Sequence, residues 1–140
     1  MTDSDRLVVW LRETLDAAQA DAEAATSGPW HVTEYVAGSD YGFDAGVGTA
    51  PGEVDVVGHG YEGGGCERVQ DARHIVRHNP ANVLRRIAAD RKLLDLHRDD
   101  LGKCAECGQG YELMDWGPDF PCATVRLLAE GWGWTEGEQA

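Results

Sequence analysis

A chain of 140 residues with 42% apolar residues can bury one modest hydrophobic core, so we predict a single domain over residues 1–140. Its formal net charge of -13 would repel phosphate backbones over most of the surface, which disfavours sequence-independent binding to nucleic acid. No secretory signal is apparent, and no stretch approaches the roughly 18 apolar residues of a membrane helix, so we expect a cytoplasmic protein with no membrane segment.

The first predicted element is a helix over residues 7–25. Apolar and small residues recur there at the three-to-four-residue spacing of one helical face. Asp3 and Asp5 suit the positive end of the helix dipole. Gly28 and Pro29 end the helix, because glycine favours the left-handed cap and proline cannot continue the hydrogen-bond ladder.

Two short segments predict a small antiparallel sheet of two or three strands. Residues 30–36 alternate large β-forming side chains with polar ones, which indicates a half-buried strand, and residues 53–57 are its expected neighbour. The glycine-rich segments 38–52 and 58–65 are predicted to be loops. Neither contains the GxGxxG pattern or the lysine of a phosphate-binding loop.

Two further helices are predicted to meet at an angle at a proline. Residues 66–78 carry apolar side chains at helical spacing. The next helix starts with Asn79 as N-cap and Pro80 in its first turn, and is expected to run to about Leu101. Its many arginines could contact nucleic acid. Aspartates interrupt them, however, and we expect this face to pack on the acidic N-terminal helix or to stay solvated.

The segment 102–130 is predicted to be a zinc knuckle. Cys104 and Cys107 are separated by two residues, so both sulfurs can point at one metal, and Gly108 permits the tight turn. Cys122 opens a short predicted helix, whose N-terminus favours a thiolate. The alternative is a redox dithiol, but a thioredoxin-like pair follows a strand, whereas this pair follows a helix. Zinc is therefore the favoured interpretation.

A tetrahedral structural site needs a fourth ligand, and His97 is the preferred candidate. It lies seven residues before Cys104, so a chain reversal at Gly102 could return the knuckle to it. The alternatives are an acidic residue or one of three other side chains, Cys66, His74 and His78. Four protein ligands would make the zinc structural, whereas water in the fourth position would allow catalysis.

No catalytic group of residues stands out. His74 and His78 lie four residues apart, but the residues between them lack the glutamate that a zinc protease needs as base. A zinc-dependent hydrolase or nuclease with one of these histidines as base remains an alternative. A contact surface could instead be formed by the aromatic residues of the loops and tail, namely Tyr41, Phe43, Tyr61, Trp116, Trp132 and Trp134.

Several segments resemble an uncharacterised family of small proteins common in actinobacteria and their phages. They include the sequence HIVRHNP at residues 74–80, the helix before His97, and the CxxC pair followed by Pro121–Thr124. The resemblance implies that a histidine like His97 accompanies the three cysteines, and it implies no activity. The chain departs from the family pattern at residues 131–140, which we expect to be a frayed tail.

The sequence therefore predicts an α+β protein with helices, a small antiparallel sheet and a C-terminal zinc knuckle. The predicted ligands of one structural zinc ion are His97, Cys104, Cys107 and Cys122. We expect a protein-binding or regulatory module rather than an enzyme, and its partner should be another protein. The module could, for example, be a phage-encoded inhibitor that acts on the host. Nucleic-acid binding through the arginine-rich helix is the further alternative.

Overall fold

A computed structural model describes residues 1–34, 45–49, 54–58, 64–108 and 117–137. Within these ranges the chain forms four helices and five short strands, which confirms the α+β class. None of the described helices combines the length and apolar character that spanning a membrane would require. Some residues singled out in the sequence lie outside the described ranges, namely Tyr41, Phe43, Tyr61 and Trp116.

The chain forms two compact units. One consists of Met1–Gln19 together with Arg86–Ala140, and the other is the continuous segment Ala20–Arg85. Two helices run through the boundaries: α1 (Asp3–Ala24) and α3 (Pro80–Leu96). The prediction of a single folding domain stays a prediction.

The unit of residues 20–85 contains a three-stranded antiparallel sheet. Its strands are β1 (His31–Glu34), β2 (Ala45–Gly48) and β3 (Asp55–Val57), in the order β1-β2-β3. The expectation that residues 53–57 pair directly with β1 was therefore wrong, since β2 pairs with both. The predicted loop at Gly46–Gly48 is part of β2.

Helix α2 (Val69–Arg77) packs on this sheet and completes the core of the unit. The buried cluster contains Ala45 and Val47 of β2, Ala72 of α2, and Cys66. All four residues of β2 are buried, and their small side chains allow the core around this strand to pack closely. Cys66 precedes α2, which begins three residues later than predicted.

The junction between α2 and α3 follows the sequence prediction. The side-chain oxygen of Asn79 accepts a hydrogen bond from the Asn82 amide at 3.1 Å, as an N-cap does. Its Nδ2 donates to the Val76 carbonyl at 3.0 Å, which ties the start of α3 to the last turn of α2. Helix α3 then ends at Leu96 rather than near Leu101.

The unit of residues 1–19 and 86–140 begins with a capped helix. The Asp5 amide donates to Thr2 Oγ1 at 3.1 Å, and the Asp5 carboxylate accepts from the Thr2 amide at 2.9 Å, a reciprocal capping box. The hydrogen bonds from Thr2 lower the pKa of Asp5. Beyond this cap α1 buries one face, formed by Leu7, Leu11 and Leu15.

One arginine of α3 contacts α1, which is one of the two outcomes expected for the basic residues of this helix. Arg91 donates to the Asp16 carboxylate at 2.6 Å and to the Gln19 side chain at 3.1 Å. The buried apolar residues of this unit also come from α3 and from α4 (Ala123–Gly131), and are Ile87, Leu94, Val125 and Ala129. The arginine-rich helix thus serves in part as a packing surface.

The described part of the C-terminal segment contacts this unit through two tryptophans. Trp132 Nε1 donates to the buried Asp90 carboxylate at 2.8 Å, and the Arg86 guanidinium stacks over the Trp132 ring at 4.6 Å. Trp134 meets the edge of Trp10 with ring centroids 5.3 Å apart. These two tryptophans are half-buried, so they offer less contact surface than the sequence led us to expect. Fraying of residues 131–140 stays a prediction.

Candidate metal centre

Four short elements bring the predicted ligands together. His97 follows the end of α3 directly, and its amide donates to the Leu93 carbonyl at 2.9 Å, which continues the last helical turn. Cys104 belongs to strand β5 (Lys103–Cys104), and Cys122 is the N-cap residue of α4. Cys107 lies in the turn after β5.

A tight hairpin returns the chain from His97 to Cys104. Strand β4 (Asp99–Asp100) pairs with β5 across a two-residue turn, in which Leu101 has φ 52° and Gly102 has φ 86°. Positive φ at both central positions is the mark of a type I′ turn. The Gly102 amide also donates to the Asp99 carboxylate at 2.8 Å. The predicted reversal at Gly102 is therefore confirmed, although the hairpin itself was not predicted.

Backbone hydrogen bonds close the loop around the cysteines. The Gly108 amide donates to the Cys104 carbonyl at 2.9 Å, which forms the turn of the CxxC pair. The Cys104 amide donates to the Pro118 carbonyl at 3.1 Å, and this contact holds the segment before Cys122 against β5. Beside it, Lys103 bonds the Asp119 carboxylate at 2.7 Å and lowers the pKa of that carboxyl.

A close backbone contact lies beside Cys107. Gly117 has φ 88°, and a Cβ atom there would lie 2.8 Å from the Gly108 Cα atom and 2.9 Å from the Cys107 carbonyl oxygen. Such distances are shorter than any Cβ tolerates, so only glycine fits. The cysteine turn and the returning segment are in direct backbone contact at this point.

The four donor atoms converge with the spacing of a tetrahedral site. Nδ1 of His97 lies 3.4 Å from Cys104 Sγ, 3.6 Å from Cys107 Sγ and 3.4 Å from Cys122 Sγ. A tetrahedral zinc ion, with bonds of about 2.3 Å to sulfur and about 2.0 Å to nitrogen, holds these atoms about 3.5 Å apart. All four ligand atoms lie within 4.8 Å of one another. The arrangement is compatible with a metal site.

The charges of the cluster also favour a cation. The hydrogen bond with Cys104, partial desolvation and the nearby Cys122 sulfur raise the pKa of Cys107 from 9.0 to about 12. Burial tends to raise the pKa of Cys122 as well, but the backbone amides of Val125 and Thr124, together with the two other cysteines, outweigh it and lower that pKa. The cluster therefore stabilises the thiolate of Cys122 and disfavours a second thiolate at Cys107, unless a metal ion balances the negative charge.

The affinity of this cluster for a metal ion is expected to rise with pH. In the metal-free protein the Cys107 thiol keeps its proton at neutral pH, because its pKa is about 12, so a binding metal must displace that proton. Each displaced proton makes the apparent affinity about tenfold stronger per pH unit, and acid weakens it equally. Competition with a chromophoric chelator between about pH 6 and 8 measures this slope. An affinity that does not change with pH would mean that the thiols are not ligands.

The other ligand candidates lie elsewhere in the fold. Cys66 belongs to the buried core beside β2 and α2. His74 and His78 are exposed on α2, with ring centroids 4.6 Å apart. Among the described residues, the group of three or more potential metal ligands that lie close together is formed by His97 and the three cysteines.

Comparisons with known proteins relate the chain to a family. Neither the curated proteins nor the solved structures include a significant match to the chain. Residues 4–133 match a family described as a family of unknown function, DUF6221. The match spans most of the sequence and includes all four donors of the metal centre. The chain therefore belongs to the DUF6221 family, whose function is unknown.

Proposed function

We propose that this chain is a protein-binding or regulatory module whose C-terminal part is held together by one structural zinc ion. The observation that carries the metal assignment is the 3.4 to 3.6 Å spacing between His97 Nδ1 and the three sulfurs. Three cysteines and one histidine are a common donor set of structural zinc. Thiolate-rich sites with tetrahedral geometry select zinc over magnesium, calcium or manganese.

The same geometry favours a structural role over a catalytic one. A catalytic zinc site keeps one position open for water or substrate, with three protein ligands. Here His97 Nδ1 faces all three sulfurs, so four protein donors are available to fill the coordination sphere. A closed sphere leaves no metal-bound water, which counts against the hydrolase or nuclease alternative.

The metal assignment is tested by metal content and spectroscopy on the full chain. We expect one zinc per chain by elemental analysis, and thiolate-to-metal charge transfer with tetrahedral ligand-field bands after replacement of zinc by Co²⁺. His97→Ala should remove one nitrogen ligand and shift those bands. His31→Ala is the matched control, because His31 is an exposed histidine of the other unit. Wild-type protein with no stoichiometric zinc would contradict the assignment.

Exposed leucines on the metal-binding unit support a protein partner. Leu101 is 90% exposed at the tip of the hairpin, and Leu127 on α4 is 64% exposed. Leu96 and Leu93, in the last turns of α3, are 50% and 36% exposed. The positive φ of Leu101 costs on the order of 1 kcal/mol relative to glycine, so this leucine is kept at some cost to stability. Contact with a partner would account for it.

The partner can be sought by affinity capture from a lysate of an actinobacterium, the host that the family resemblance implies. We expect at least one specific protein to bind the wild type and to be lost with Leu101→Gly. That variant removes the exposed side chain and relieves the strained φ, so it should stay folded and zinc-loaded. No specific protein, or equal capture by both forms, would contradict the proposed role.

Further parts of the proposal concern cellular context. An actinobacterial or phage origin, a cytoplasmic location and action as a host-directed inhibitor all fit a small acidic binding module.

Nucleic acid is the less favoured partner. Arg91 already contacts Asp16 and Gln19, and Arg86 contacts Trp132 and Asp90. These contacts reduce the basic surface that α3 could offer to phosphates.

A further inference from the structure

A pair of imidazole side chains lies at the C-terminal end of helix α2, outside the proposed zinc centre. His74 belongs to the helix and His78, four residues later, is its C-cap residue, and both are exposed. Their ring centroids are 4.6 Å apart, with an angle of 53° between the ring planes. Two neighbouring imidazoles with solvent access can reach the same ion after small changes of side-chain torsion.

The backbone that carries this pair is well fixed. The apolar face of α2 packs on the core of its unit through Ala72, Ile75 and Val76. The His78 amide donates to the Ile75 carbonyl at 3.0 Å, and Asn79 bonds the Val76 carbonyl from its backbone amide at 3.2 Å and its side chain at 3.0 Å. The two histidines therefore project from a rigid helix end rather than from a loop, which reduces the entropy lost when both bind one ion.

The local charges include features that attract a cation. His78 is the C-cap of α2, so the pair lies at the negative end of the helix dipole. Asp71, three residues before His74, places a carboxylate on the same face and partly offsets the charges of Arg73 and Arg77. The neutral imidazole ring is the commonest protein ligand for late transition metals.

We propose that His74 and His78 form a second metal site, which takes a divalent late transition ion from solution through two imidazole nitrogens, with water in the remaining positions. His78 lies just beyond the last residue of α2, but the pair keeps the four-residue spacing with which two helical histidines chelate one zinc-like ion, and its rings are 4.6 Å apart. The intervening residues supply no glutamate base, so the site binds metal without protease chemistry. Two protein ligands and an exposed position make the ion exchangeable, unlike the four-donor centre.

The test is a titration of the full-length, zinc-loaded chain with Ni²⁺ near pH 7.5. Ni²⁺ is the probe because it favours imidazole ligands. We expect one Ni²⁺ to bind per chain, and we expect His74→Ala and His78→Ala each to weaken that binding by about tenfold or more. The matched control is His31→Ala, which removes an exposed histidine from strand β1 of the same unit and should leave the affinity unchanged.

Nuclear magnetic resonance gives a second measurement on the wild type alone. Paramagnetic Ni²⁺ should broaden the ring-proton signals of His74 and His78 at substoichiometric amounts, before those of His31. Equal Ni²⁺ affinity in wild type and both variants, or no preferential broadening, would overturn the proposal. Zinc content measured on the same samples keeps this result separate from the zinc centre, since either site can fail while the other stands.

Discussion

Replacement of Cys122 by serine is expected to abolish stoichiometric zinc binding and to unfold the C-terminal part of the chain. Structural zinc contributes about 10–16 kcal/mol of apparent binding free energy in zinc-finger peptides, as much as the whole stability of a typical domain. Cys122 is the N-cap residue of α4, and serine is favourable at that position, so the substitution should not weaken the start of the helix and the effect reports on the lost metal ligand. Zinc content, circular dichroism and amide exchange with and without a chelator measure the result.

A cysteine outside the centre provides the control. Cys66→Ala removes a buried thiol from the core of the other unit and should lower stability while leaving the zinc content unchanged. Chelation of the wild type should reproduce the unfolding caused by Cys122→Ser. A Cys122→Ser protein that keeps one zinc and its thermal transition would show that this residue is not a ligand.

Gly117→Ala is expected to destabilise the protein by more than about 2 kcal/mol and to weaken zinc binding. The new Cβ would lie 2.8 Å from the Gly108 Cα atom and 2.9 Å from the Cys107 carbonyl oxygen, and backbone atoms cannot move aside as a flexible side chain can. The positive φ of 88° adds strain for any residue with a Cβ. Relief of the contact would move the cysteine turn away from its position. Urea unfolding and competition with a chelator measure the two effects.

The matched control for this substitution is Gly102→Ala. Gly102 has a similar φ of 86°, but nothing lies within 4 Å of the position that its Cβ would take. It should therefore lose only about 1 kcal/mol, the cost of the positive φ. The difference between the two variants isolates the steric contact beside Cys107. Equal losses would mean that the segment around Gly117 can move without affecting the metal centre.

The donor cluster was predictable because its signals are local in sequence. The spacing of Cys104 and Cys107 fixes two ligands in one turn, and His97 needs only a short reversal to reach them. The structure brings His97 and all three cysteines together as expected. The sequence could not show that Nδ1, rather than Nε2, is the atom that faces the sulfurs, because this depends on the orientation of the ring.

Other elements depended on contacts that the sequence does not encode locally. Strand β2 has the sequence Ala-Gly-Val-Gly, a pattern of low strand propensity. It forms a strand because it pairs with β1 on one side and β3 on the other, and its small side chains suit this buried central position. The apolar pattern of α3 seemed to continue to Leu101, yet that residue is 90% exposed at the tip of a hairpin. Leu101 falls at a helical period in the sequence by coincidence. The pairing of β4 with β5 places it in the turn of a hairpin instead.

The C-terminal segment also depends on contacts with residues that are distant in sequence. Trp132 and Trp134 stand among glycines and acids in the sequence, which favoured exposed aromatic side chains. Their partners, Asp90 and Trp10, lie far away in the chain. Long-range contacts of this kind follow from the packing of helices and are not visible as a periodic pattern.

One unit of the fold joins the two ends of the chain, since it consists of Met1–Gln19 and Arg86–Ala140. This order has a consequence during protein synthesis. Helix α1, with the apolar face of Leu7, Leu11 and Leu15, leaves the ribosome before the rest of its unit, because Cys122 is added more than a hundred residues later. At about 5–20 residues per second, the delay is on the order of ten seconds. The whole continuous unit Ala20–Arg85 is synthesised before Cys122, and chains that stop before Cys122 leave the leucines of α1 available to chaperones and proteases.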